Sequence, residues 1–82
     1  MNTVHDKLVS LNLPQAVHAQ AIKLLVAIGQ ANTVTDCHRA ADRAEGFGLG
    51  LETIKALNAA SIEGLYLAFD DAAQTRLAEF TS

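Results

Sequence analysis

A single all-α domain spanning residues 1–82, a compact bundle of four or five short helices, is what this sequence predicts, and three observations predict it. Half of the residues are hydrophobic, which supplies one core in a chain near the size where a core barely offsets chain entropy. Apolar residues recur at helical rather than alternating spacing along most of the length. A lone cysteine, with no Cys/His spacing of a structural zinc site, leaves packing as the source of stability.

Residues 2–12 read as a short first helix with Val4, Leu8 and Leu11 on one side. So short a helix is marginal alone and needs tertiary cover. Asn12-Leu13-Pro14 breaks the chain and restarts it, because proline is tolerated in the first helical turn, where its missing N–H would be unpaired anyway. The stretch 14–30, PQAVHAQAIKLLVAIGQ, follows. Val17, Ala21, Leu24, Leu25 and Ile28 form one stripe, Ile22 and Val26 widen it, and Gln20, Lys23 and Gln30 keep a narrow polar strip. An arc that wide predicts a central helix contacted from two or more directions.

Gly29 and Asn32 supply stop signals, and the hydroxyls and carboxylate of TVTD at 33–36 supply the next N-terminal cap. In the third helix Val34, Cys37, Ala41 and Ala44 recur at helical spacing, with Arg39, Asp42, Arg43 and Glu45 largely outside that stripe. Gly46, Gly48 and Gly50 then stand at alternate positions. They predict that the helix ends there in an ordered loop, through which Phe47, Leu49 and Leu51 reach the core. Residues 51–60 return to helical spacing through Ile54 and Leu57, and NAAS at 58–61 offers a break and a new cap.

Beyond Ser61 the pattern is clearest. Ile62, Tyr66, Phe69, Ala73, Leu77 and Phe80 fall on one face, widened by Leu65 and Ala72. Glu63, Asp70, Asp71, Gln74 and Glu79 lie outside that face, and Leu67 sits among the polar positions. The alternative is a winged helix, with residues 65–69 and 75–80 as two strands of a C-terminal β-hairpin. Strong helix formers in DDAAQTRLAE, and a 3.6-residue period that runs unbroken across the would-be turn, favour the single helix.

The N-terminus lacks a basic region followed by an apolar run, and LLVAI, the longest apolar run, is far short of the roughly 20 residues that span a bilayer. A cytoplasmic protein with no membrane partner is the expectation. Six Lys/Arg against nine Asp/Glu give a net charge of −3, which lacks the basic footprint of a phosphate-binding protein. Nucleic acid is therefore disfavoured as a partner.

Candidate chemistry is sparse. Cys37 and His38 are neighbours on a helix, so their side chains diverge by about 100° and cannot form a nucleophile–base contact by adjacency. Cys37 lies on the apolar stripe and reads as a small core residue. His5, His18 and His38 show no ligand spacing, so no metal or cofactor is expected. Asp70 and Asp71 also diverge and read as a solvated acidic face rather than an acid–base pair. The glycine stretch lacks the Gly-Lys-Ser/Thr ending of a phosphate loop.

No catalytic set emerges, and the expected function is a small non-enzymatic protein–protein interaction module, a regulator or inhibitor acting through an exposed helix face. Its expected partner-binding residues are Tyr66, Leu67, Phe69, Asp70 and Asp71, with the two aspartates steering a basic partner. A homodimer through the last helix or the segment 49–51 is expected too. The alternative function is a helix-turn-helix DNA-binding transcriptional regulator. Ala44, Gly48, Ile54 and Leu57 have the offsets of that motif, with Gly48 as the turn and Thr53, Lys55 and Asn58 facing DNA.

Overall fold

The computed structural model describes residues 8–81. Three long helices dominate: α1 (Gln15–Gly29), α2 (Val34–Thr53) and α3 (Ala59–Thr81). A helical turn at 8–10 precedes them; the rest of the helix expected over 2–12, with Val4 and His5, lies outside the described residues. The fold is all-α, and among the described residues there is no strand. The hairpin alternative is thereby corrected: residues 65–80 lie within one continuous helix. At about 1.5 Å per residue α3 runs about 35 Å, close to the 37 Å longest dimension of the molecule.

Local chemistry sets each boundary. Pro14 is the N-cap residue of α1, with φ −53° and ψ 145°, and its carbonyl accepts the His18 N–H at 2.9 Å. Thr33 caps α2, its hydroxyl accepting the Asp36 N–H at 3.0 Å. The Asn58 side-chain oxygen does the same for α3, accepting the Ser61 N–H at 2.8 Å. The Thr33 and Asn58 side chains each satisfy an amide that has no partner inside the helix, whereas α1 has no side-chain cap.

The expectation of a loop at 46–51 is overturned, because α2 continues through all three glycines to Thr53. Packing explains it. Ala44, Phe47, Gly48 and Leu51 keep the i, i+3, i+4, i+7 spacing of one helix face; Ala44 and Gly48 are buried and Phe47 and Leu51 pack against the core. Tertiary burial of that face outweighs a cost of about 1 kcal/mol per helical glycine. The break falls later, at residues 54–58, where a separate helix was expected.

α2 and α3 make the most extensive pairing, and α1 packs against both. Residues 14–30 thus do have neighbours on two sides, although Val26 stays 42% exposed and the apolar arc is not fully covered. Leu8, Leu24, Leu25, Ile28, Leu65 and Phe69 are among the side chains of one buried cluster. Cys37 belongs to it as well, its thiol 3.8 Å from the Ala73 carbonyl. One turn further along α3, Arg76 Nε donates to the Ala31 carbonyl at 2.8 Å, tying α3 to the α1–α2 connection.

Candidate functional site

The end of α2 is built by backbone geometry rather than by glycine. The Lys55 N–H donates to the Glu52 carbonyl at 3.1 Å and the Ala56 N–H to the Leu51 carbonyl at 2.9 Å. This paired closure normally places glycine in the left-handed position; here Lys55 occupies it with φ 55°. The chain then turns through Leu57 and enters α3 at the Asn58 cap. Between the α2 terminus, this turn and the first half of α3 lies an open groove of about 520 Å³.

Leu57, Ile62, Tyr66 and Leu67 give the groove its apolar lining, and Glu52, Lys55, Glu63 and Asp70 its charged one. Leu67 is 56% exposed at the groove. The Tyr66 hydroxyl reaches back to α2, 3.3 Å from Glu52 Oε1. Burial first, then the Glu52 and Glu45 carboxylates, push its phenol above the ordinary tyrosine value.

Of the five residues expected to bind a partner, Tyr66, Leu67 and Asp70 line the groove. Phe69 does not: it is 4% exposed and part of the core, buried on α3 along with Leu65 and Ala73. Asp71 is half-buried and does not line the groove. Glu52, Leu57, Ile62 and Glu63 line the groove without having been among the residues expected to bind a partner. Glu63 was legible, since Glu63, Leu67 and Asp70 share one stripe at i, i+4 and i+7; Glu52 and Leu57 join only through the turn at 54–58.

The helix-turn-helix geometry is not formed at Gly48, which lies in the middle of α2. Thr53 donates its hydroxyl to the Leu49 carbonyl at 2.8 Å and Asn58 holds the α3 cap, while Lys55 lines the groove. Cys37 is buried, His38 exposed and His18 half-buried. Among the described residues no group of three or more His, Cys, Asp or Glu side chains could hold a metal ion. No helix among them is long and apolar enough to cross a membrane. In comparisons with protein families, with curated proteins and with solved structures, nothing matches this chain.

Proposed function

We propose that this chain is a non-enzymatic protein–protein interaction module, a cytoplasmic regulator or inhibitor that receives a segment of another protein in the α2–α3 groove. The observation that carries the reading is Leu67, a large apolar side chain more than half exposed beside Tyr66 in an open, partly apolar groove. Aromatic and aliphatic anchors in a desolvated pocket dominate the energetics of protein interfaces. Self-association, through the last helix or the segment 49–51, belongs to the same reading; in that segment Leu49 is 56% exposed, whereas Leu51 packs against the core. A sedimentation mass of one chain across a wide concentration range would remove the dimer.

Site-specific photo-crosslinking tests the groove. A photoreactive residue at position 67 should capture a defined protein in host cells that the same residue at position 35, an exposed site on α2, does not capture. Identical crosslink patterns from the two positions would sink the proposal.

A further inference from the structure

The groove's charges point to what occupies it. On α3, Glu63 stands one turn before Leu67 and Asp70 one turn after, so the exposed apolar side chain has a carboxylate on either side along its own stripe. Among the described residues neither Glu63 nor Asp70 forms an ion pair. Glu52 adds a third carboxylate, and Lys55 is the only cation in the lining. The stripe from Ala59 to Asp70 covers three turns, about 16 Å of helix.

Resting on the docking reading above, we infer that the groove takes a basic amphipathic helix of a partner protein. Its apolar side chains seat against Leu57, Ile62 and Leu67, and Lys or Arg side chains one turn to either side face Glu63 and Asp70. An acidic helix would set like charges together, and a purely apolar one would desolvate the carboxylates without replacing their water. A helix fits rather than an added strand, because strand addition needs an exposed sheet edge and the described residues form none.

The test is selection of a displayed library of random helical peptides on the full chain and on the Glu63→Lys/Asp70→Lys double variant, whose changes fall at exposed helix positions. The native chain should enrich net-basic peptides with apolar residues at i, i+3 or i+4, and i+7. These should bind the double variant about tenfold or more weakly, and weaken with added salt. Peptides that lose binding to Leu67→Ala yet carry no basic excess, or bind the double variant equally well, would overturn the charge assignment alone. Failure to enrich any peptide that depends on Leu67 would overturn the docking groove with it.

Discussion

The ring of Tyr66 lies against the bare backbone of Gly48: a Cβ built at position 48 would stand 2.8 Å from Tyr66 Cε1 and 3.2 Å from Cζ. This contact lets α2 and α3 approach closely where the groove begins, with the Tyr66 hydroxyl at Glu52 one turn further along α2. An added methyl would force the ring to shift.

Gly48→Ala is therefore expected to destabilise the fold by about 1 kcal/mol, overpacking outweighing the gain in helix propensity. Gly46 and Gly50 have nothing within 4 Å of a built Cβ. Alanine at either should stabilise by about 0.5–1 kcal/mol. In a Tyr66→Ala background Gly48→Ala should become stabilising as well. Urea denaturation of the cycle measures this, and equal effects at 46, 48 and 50 would show that the Tyr66 contact carries no weight.

These three glycines also mark where sequence reasoning stopped. The apolar stripes of α1 and α3, the Thr33 cap and the Asn58 cap were legible because each depends on residues within a few positions of one another. Alternating glycines carry a local signal for a loop, and it lost to burial of the Ala44–Leu51 face against residues far along the chain, Tyr66 against Gly48 among them. Phe69 went astray differently. Spacing placed it correctly on the apolar stripe, but a stripe does not reveal which of its members a neighbouring helix will cover. Leu67, off that stripe, was readable as exposed, whereas the groove beside it required the position of the α2 terminus.

Lys55 offers a second stability test. A residue with a Cβ pays roughly 1–2 kcal/mol in the left-handed region that glycine enters freely, and Lys55 sits there with φ 55°. Lys55→Gly should raise stability by about 1 kcal/mol, while Lys55→Ala should leave it within about 0.5 kcal/mol. Chemical denaturation separates the two. A Lys55→Gly variant no more stable than Lys55→Ala would mean that the backbone there is unstrained.

Tyr66 is the only tyrosine in the sequence, so phenolate absorbance reads its titration directly. Its midpoint should lie above the ordinary value of about 10. Since the folded state holds this proton more tightly than the unfolded state does, the linked stability is fully present below the unfolded value. It is lost as pH rises through the folded one. Glu52→Gln should lower the midpoint by removing the charge next to the hydroxyl, with burial leaving it above that of the urea-denatured chain. A folded midpoint at or below the denatured one would contradict the geometry.

Arg76 joins the far end of α3 to the α1–α2 connection, and its side chain has three partners. Nε donates to the Ala31 carbonyl at 2.8 Å, Nη1 meets Glu79 Oε1 at 3.1 Å, and the guanidinium carbon lies 4.8 Å from the centre of the Phe80 ring. The ion pair is a solvent-exposed one and adds at most about 1 kcal/mol. The bond to Ala31 matters more, because it is part-buried and its acceptor residue is only 7% exposed. Arg76→Ala should cost about 1–2 kcal/mol, the loss of a part-buried hydrogen bond from a charged donor. Lysine should restore only part of it, since an ammonium cannot both reach the carbonyl and lie flat on Phe80. Hydrogen exchange gives the discriminating readout: in Arg76→Ala the amides around Ala31 and those of the last turns of α3 should exchange faster together. Faster exchange confined to α3 would mean that Arg76 only steadies its own helix.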